Sequence, residues 1–316
     1  MIKTVKFRIR KLKKQWDLWY LQSKMDVKPL EHFLIFSDPR GGSTWLMQIV
    51  KQVTNKPILW EPLHVKNVPE LQKIGFGWRQ YIPEQANWTE AKEFFDKLFK
   101  GKILNPWIMQ QTTKQELLQA DQLVFKFCRG NALIPYLTST YSFKYKPIFM
   151  VRHPFAVVAS QMKHGGWKNV TSHFMIPNTP FNERYKKHEG FLSSLNTEIE
   201  VLVATWCLTN QVALNHSKNN INWMTITYEE LLIQPEITLE RILKEWQIVY
   251  DISKINFNRQ SFTTVVGSPE TVSERLCYWE SSFTQEQIDS MTRVLNYFEV
   301  ELYDSSPEPL YEFNKQ

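Results

Sequence analysis

The chain has 316 residues, and its 43% hydrophobic content suffices for a buried core in one large domain or two small ones. Its formal net charge is +6, yet residues 1–14 contain seven basic residues and no acidic one, which leaves 31 basic against 32 acidic residues elsewhere. Because the chain outside residues 1–14 is close to neutral, a nucleic-acid-binding face is not indicated, and we expect no nucleic-acid partner.

Other function classes are excluded by missing signals. The three cysteines (Cys128, Cys207 and Cys277) are widely spaced and odd in number, which favours a reducing, cytoplasmic compartment over a disulfide framework. The seven histidines show no metal-ligand spacing, so we expect no metal, and the G-x-S-x-G signal of serine hydrolases is absent. Because no apolar run of about 18 residues occurs, we expect no membrane span.

The first predicted element is a basic amphipathic helix, which together with a linker occupies residues 1–28. Such a helix can lie on an anionic membrane, so residues 1–20 are a candidate for peripheral contact with the inner membrane surface. The alternative is a helix that packs on the body and exposes its charged side to water. Apolar residues recur at helical spacing between the lysines and arginines: Ile2, Val5, Ile9, Leu12, Trp16 and Trp19.

Residues 29–316 are predicted to form a single domain in which short apolar strands alternate with helices. This alternation predicts an α/β fold in three layers, a central parallel sheet covered by helices on both faces, with ligands at the carboxyl ends of the strands. Two loop-rich stretches, 60–120 and 164–196, break the alternation. We predict strands at 32–37, 122–127, 147–151 and 222–228, and helices at 44–53, from the second strand up to Tyr141, at 155–163 and on either side of Pro235.

The segment IFSDPRGGSTWL, residues 35–46, has the pattern of a phosphate-binding loop between a strand and a helix. Aligned to G-x-x-x-x-G-K-[ST], its final hydroxyl is Thr44, and the lysine position is occupied by Ser43. The one cation of the loop is Arg40. A loop that lacks the group that reaches a γ-phosphate indicates a nucleotide without a triphosphate.

A second strand-to-helix segment, VRHPFAVVASQ at residues 151–161, carries Arg152 at the end of a buried strand. A buried guanidinium needs an anionic partner, and Ser160 on the following helix supplies a further hydrogen-bond donor. The pair therefore predicts a site for a phosphate monoester. The alternative is a structural ion pair for Arg152 and a helix-surface role for Ser160.

Together these two segments resemble the sulfotransferase family, whose members take a sulfuryl group from 3′-phosphoadenosine 5′-phosphosulfate. The resemblance covers most of residues 32–303 and includes T-Y-E-E-L at 227–231, A-x-W-x-x-x-N at 204–210 and F-x-V-x-L-Y at 298–303. It implies a P-loop NTPase-like fold and a metal-free transfer. The chain is more similar to the carbohydrate-type and bacterial branches than to the aryl-type enzymes.

The resemblance also implies a role for each donor-binding residue. The loop backbone would hold the 5′-phosphate, the Arg40 side chain the bridging oxygen, and Arg152 with Ser160 the 3′-phosphate. Tyr228 would line the adenine pocket, and Trp279 either supports the late loop or is a packing anchor. The full predicted set is Arg40, Gly41, Gly42, Ser43, Thr44, Trp45, Arg152, Ser160, Tyr228 and Arg275, the last at the 3′-phosphate.

The general base is predicted to differ from that of aryl-type enzymes, which use a histidine in K-x-H. Here that motif is Lys126-Phe127-Cys128, and Cys128 is expected to be a small buried residue. Glu61 matches the glutamate of the E-P motif in carbohydrate-type enzymes, and we expect it to be the base, with a raised pKa. Three alternatives stay open: an ion pair for Glu61, His64 as base, and Lys126 either at the sulfuryl group or in solvent.

The expected reaction is sulfuryl transfer to a hydroxyl of a glycan, a glycolipid or a small alcohol. Two alternatives are a nucleotide-dependent P-loop kinase and a non-catalytic, membrane-associated nucleotide-binding protein. The sequence leaves the acceptor and the oligomeric state open.

Overall fold

The computed structural model describes residues 2–167, 170–257 and 271–310, without the side chains of residues 2–11 and 14. Within these residues, five parallel strands form one sheet in the order β2-β3-β1-β4-β5. The strands are β1 (Phe33–Ser37), β2 (Ile58–Trp60), β3 (Val124–Cys128), β4 (Ile148–Val151) and β5 (Met224–Thr227).

Helices connect and cover the strands, which confirms the predicted α/β fold with a central parallel sheet. The first half of the chain contains α1 (Ile2–Lys24), α2 (Ser43–Thr54), α3 (Pro69–Lys73), α4 (Thr89–Phe99), α5 (Lys114–Leu118), α6 (Ile134–Thr140) and α7 (Pro154–Lys163). The second half contains α8 (Glu183–Lys186), α9 (Glu189–Ser194), α10 (Glu198–Leu214), α11 (Tyr228–Ile233), α12 (Pro235–Trp246), α13 (Val272–Cys277) and α14 (Gln285–Tyr297).

The side chains of the central strand alternate between two apolar cores, one on each face of the sheet. Leu34 and Phe36 pack into one core, whereas Phe33 and Ile35 pack into the other. All five residues of β1 are buried, as expected for the middle strand of a parallel sheet covered on both sides. The four predicted strands are confirmed, and the short strand β2 is an addition that the sequence analysis did not predict.

The C-terminal part of α1 and the segment after it contribute to the main core. Leu21, Met25 and Val27 are buried in the same apolar cluster as the sheet residues, and the Lys28 amide donates to the Asp121 carbonyl at 2.8 Å. The predicted helix is therefore confirmed, and its last turns pack on the body. The division of the chain at residue 28 stays a prediction.

Leu21→Ala tests whether α1 is integral to the fold. We expect the variant to lower the free energy of unfolding by about 2–5 kcal/mol, because the truncation leaves a cavity in a packed core. Denaturant titration measures the change. Leu12→Ala on the same helix is the matched control, since Leu12 is 65% exposed and should change stability by less than about 0.5 kcal/mol. Equal values for the two variants would contradict the packing of α1.

Candidate active site

The charged and polar residues of the candidate site lie at the carboxyl edge of the sheet. Parallel strands end at the same edge, so the residues that follow them lie side by side. Glu61 follows β2, Arg129 follows β3, the loop 38–42 follows β1, Arg152 follows β4 and Tyr228 follows β5. Given the strand order, Glu61 and Arg129 lie on one side of the loop, and Arg152 and Tyr228 lie on the other.

The loop 38–42 turns sharply into α2. Gly42, which immediately precedes α2, has φ 92°, and a Cβ there would lie 2.4 Å from the Tyr228 ring, so the position requires glycine. Because α2 begins at Ser43, its first N–H groups have no acceptor within the helix and lie beside the loop. Their partial positive charge suits an anion held by the loop.

Two arginines meet at this loop, as the sequence analysis expects for a site with two phosphate-binding motifs. The Arg40 Nε donates to Ser160 Oγ at 3.0 Å, and the Arg152 Nη1 donates to the Arg40 carbonyl at 3.2 Å. Burial and the neighbouring Arg152 guanidinium lower the pKa of Arg40. The two motifs, about 110 residues apart in the chain, therefore converge on one place where positive charge is concentrated.

Arg152 has no structural ion pair among the described residues. Its Nε is buried without a hydrogen-bond partner there, and its guanidinium lies 4.2 Å from the centre of the Tyr228 ring. Tyr228 also packs edge-on against Trp45, with 5.9 Å between ring centres. The aromatic pair forms a wall beside the two arginines, and a buried guanidinium with an unused donor can bind an anion.

A buried carboxylate that the sequence analysis did not single out supports the backbone at Arg152. The His153 amide donates to Glu229 Oε1 at 3.0 Å, and the Tyr303 hydroxyl donates to Glu229 Oε2 at 2.8 Å. Burial raises the pKa of Glu229. Trp279 stacks on the His153 ring at 4.9 Å and is buried, so it is a packing anchor, one of the two expected roles.

Glu61 has the ion pair that the sequence analysis considered as an alternative. Its carboxylate accepts from Lys126 Nζ at 2.9 Å and from Arg129 Nη1 at 3.4 Å. Burial alone would raise the pKa of Glu61, but the charges of Lys126 and Arg129 outweigh it and lower the pKa. The expectation of a raised pKa is therefore wrong, because the two partners stabilise the ionised form.

Lys126 and Cys128 are both buried on β3. The Lys126 ammonium lies 3.6 Å from the centre of the Trp60 ring, and the residue is only 2% exposed, so a solvated Lys126 is excluded. The Cys128 Sγ lies 3.6 Å from Ser43 Oγ, and burial raises the pKa of the thiol. Cys128 therefore has the small, buried character expected of it.

His64, the alternative base, lies among aromatic rings. Its ring centre is 4.9 Å from that of Trp78 and 4.5 Å from that of Trp107. Burial and the charge of Arg129 lower the pKa of His64, so its imidazole is neutral at physiological pH. A neutral imidazole is competent to accept a proton.

Asp38 and Arg79 form a second buried charge pair at the loop, which the sequence analysis missed. The Arg79 Nε lies 3.7 Å from Asp38 Oδ1, and the Asn210 amide donates to Asp38 Oδ2 at 2.5 Å. Burial raises the pKa of Asp38, although Arg79 opposes this. The A-x-W-x-x-x-N run ends on Asn210 and was the one available signal for this network.

The remaining predicted residues lie close to these groups in the fold. Gly41, Ser43 and Thr44 belong to the loop and the first turn of α2. Arg275 lies on α13, which packs against α11, the helix that begins at Tyr228. The assignment of Arg275 to the 3′-phosphate stays a prediction.

The described part of the chain has neither a metal-binding cluster nor a membrane-spanning helix. No group of three or more His, Cys, Asp and Glu side chains within those residues is arranged to hold a metal ion. None of the helices there combines the length and apolar character needed to cross a bilayer.

One protein family matches most of the chain. The sulfotransferase domain model matches residues 30–298. Among solved structures, the sulfotransferase domain of the olefin synthase of Synechococcus PCC 7002 is 16% identical, with a TM-score of 0.45 over 88% of this chain and 97% of its own. The mouse sulfotransferase SULT7A1 complexed with PAP is 15% identical, with a TM-score of 0.45 over 90% of this chain and 88% of its own. The search of curated proteins found no match.

Proposed function

This chain belongs to the sulfotransferase domain family and is a sulfuryl-transferring enzyme, and on that premise we propose that its donor is 3′-phosphoadenosine 5′-phosphosulfate. The observation that carries the proposal is the convergence of Arg40 and Arg152 at one glycine loop, where the Arg152 guanidinium donates to the Arg40 backbone carbonyl and its charge helps to lower the pKa of Arg40. An anion bound beside the two guanidinium groups relieves this repulsion. The donor has two separate anionic ends, which match the two motifs.

The described residues fit such a nucleotide. The α2 N-terminus and the loop backbone suit the 5′-phosphosulfate, Arg152 suits the 3′-phosphate, and the Tyr228–Trp45 wall suits a flat base. Arg40 is held towards Ser160 by a 3.0 Å hydrogen bond. When bound, the nucleotide supplies the sulfuryl group, and Arg40 would stabilise the charge that develops on the leaving phosphate.

Glu61 is our candidate for the base that takes the proton of the acceptor hydroxyl. Its lowered pKa keeps the carboxylate ionised at neutral pH, and therefore able to accept a proton. The ion pair with Lys126 reduces its basicity, so we infer that Lys126 shifts towards the transferring sulfuryl group when the donor binds. The missing K-x-H histidine supports a place near the carbohydrate-type branch rather than the aryl-type one.

We further propose that α1 makes peripheral contact with an anionic membrane on the cytoplasmic side. Leu12, Trp16 and Trp19 are 60–65% exposed on this helix, which also carries the basic cluster of residues 3–14. The helix therefore combines exposed apolar residues with a basic sequence, as an interfacial helix does. Self-pairing along these residues would bring like charges together, because the exposed Lys13 lies next to Leu12.

Arg152→Ala tests the donor assignment. We expect the affinity for adenosine 3′,5′-bisphosphate to fall by about 30- to 5,000-fold, since the variant leaves a charged phosphate poorly paired. Isothermal titration calorimetry measures the change. Adenosine 5′-monophosphate, which lacks the 3′-phosphate, serves as the control ligand, and its affinity should change far less. An equal loss for both nucleotides would remove Arg152 from the 3′-phosphate.

Glu61→Gln tests the base. We expect turnover to fall by about 10²- to 10⁴-fold with bisphosphate affinity unchanged, since the amide cannot accept the proton. His64→Gln is the matched control. In the parent enzyme kcat/KM, which reports the free enzyme, should fall only as the pH drops through the lowered pKa of Glu61, below the ordinary range of a glutamate, because protonation removes the base. A loss of rate as the pH falls from 6.5 to 4.5 would instead indicate that His64 accepts the proton of the acceptor hydroxyl.

Vesicle sedimentation tests the role of α1. The full chain should bind vesicles that contain about 30% anionic lipid and detach as salt rises, because each basic residue near the surface contributes about 1 kcal/mol. A Trp16→Ser/Trp19→Ser double variant should bind more weakly, and neutral vesicles should bind little. Equal sedimentation of the variant and parent would refute membrane contact, and a salt-resistant dimer would point to self-pairing.

A further inference from the structure

A second pair of arginines, Arg79 and Arg129, lies on the other side of the loop from Arg152. Arg129 follows β3, next to Glu61 at the end of β2, and Arg79 contacts Asp38 at the end of β1. Their guanidinium charges act on each other: burial lowers the pKa of Arg79 most, and Arg129 lowers it further. Arg40, by contrast, is affected by Arg152. The active site thus contains two distinct cationic pairs.

The second pair has unused hydrogen-bonding capacity among the described residues. The Arg79 Nε is buried without a hydrogen-bond partner there, at 3.7 Å from the Asp38 carboxylate. Arg129 donates from Nη1 to Glu61 at a long 3.4 Å, although a guanidinium carries five N–H donors. Both side chains are about one-sixth exposed, at 16% and 17%, so they remain within reach of a ligand.

Both arginines also occupy left-handed backbone, which costs free energy for residues other than glycine. The φ angles are 53° for Arg79 and 70° for Arg129, and Glu61 between β2 and its loop has 40°. Strain of this kind persists at functional sites where the surrounding structure fixes a side chain in a required direction. Three charged residues of one cluster share the feature, which favours a binding role over a packing role.

The local charges do not balance. Glu61 is shared by Lys126 and Arg129, and Asp38 is paired with Arg79, so three cations face two carboxylates. The excess grows by one when Glu61 takes the proton of the acceptor. Beside these charges, the Arg129 guanidinium lies 4.8 Å from the centre of the Trp78 ring, which provides a flat apolar surface.

We propose that the acceptor carries an anionic group, a carboxylate or a phosphate or sulfate ester, which Arg129 and Arg79 bind beside Trp78 while its hydroxyl faces Glu61. This inference rests on the proposed sulfuryl transfer and defines the acceptor class within it. An anion at this position replaces the long Arg129–Glu61 bond with a fork of charge-assisted hydrogen bonds. The bound anion also balances the excess positive charge around Glu61 and Asp38.

The test uses three small aryl probes: phenylphosphonate, benzoate and the neutral benzamide. Each is titrated at constant ionic strength into enzyme saturated with adenosine 3′,5′-bisphosphate, and again without it, with tryptophan fluorescence as the readout. In the parent enzyme at least one anion should bind tenfold or more tightly than benzamide, because a charge-assisted bidentate pair contributes about that factor to affinity. The two anionic arms distinguish a carboxylate from a phosphate-type acceptor.

Arg129→Gln is the decisive variant, because Lys126 still pairs with Glu61 at 2.9 Å and the fold keeps its buried ion pair. It should bind all three probes equally, while its affinity for the bisphosphate stays unchanged. Arg129→Lys should retain part of the preference, since it keeps the charge and loses the planar fork. Lys97→Gln, which removes an exposed charge on α4, is the matched control and should behave like the parent.

Three results would overturn the inference: equal binding of anions and benzamide by the parent, a preference that survives Arg129→Gln, or displacement of the anions by the bisphosphate. The last would assign Arg129 to the donor. Failure of the bisphosphate to bind at all would instead refute the proposed donor, and the titration without nucleotide would still report on the arginine pair.

Discussion

The rest of the site depends on one constraint: the Arg152 guanidinium is held at the Arg40 backbone carbonyl, where its charge also acts on the Arg40 guanidinium. Like charges held together inside a protein persist only if the backbone around them cannot relax. Here the Arg152 carbonyl accepts from Trp206 Nε1 at 3.2 Å, and the next amide is fixed by the buried Glu229. The fold therefore fixes this arrangement of positive charge, and we propose that the charge of a bound anion relieves the repulsion within it.

The cationic residues on the two sides of the loop have different partners. On the proposed donor side, Arg152 contacts a carbonyl and an aromatic ring and has no ion pair among the described residues. On the acceptor side, the Glu61 carboxylate already neutralises Lys126. In the function that we propose, donor binding is favoured by direct charge complementarity, whereas use of Glu61 as a base requires a change of partner. We propose that this requirement links proton transfer to the presence of the donor.

The sequence was sufficient wherever a function resides in consecutive residues. The loop around Gly42 and the segment around Arg152 are local motifs, and alternating strands and helices determine that they meet at one sheet edge. The strand β2 was missed because three residues carry too little periodicity. The pKa of Glu61 was predicted in the wrong direction because Lys126 lies 65 residues away, and only the β2–β3 pairing brings it to 2.9 Å. Arg79 was missed because nothing in its local sequence indicates contact with Asp38.

The missing loop lysine follows from the same geometry. Position 43 points towards β3, where the Ser43 hydroxyl lies 3.6 Å from the buried Cys128 sulfur. A lysine there would bring a second ammonium into a buried region that already contains Lys126, at a cost in desolvation and repulsion. The chain instead supplies its loop cation from Arg40, which reaches the other way to Ser160 on α7. We propose that this places the cation on the leaving-group side of the loop, where charge develops on the departing phosphate as the sulfuryl group is transferred.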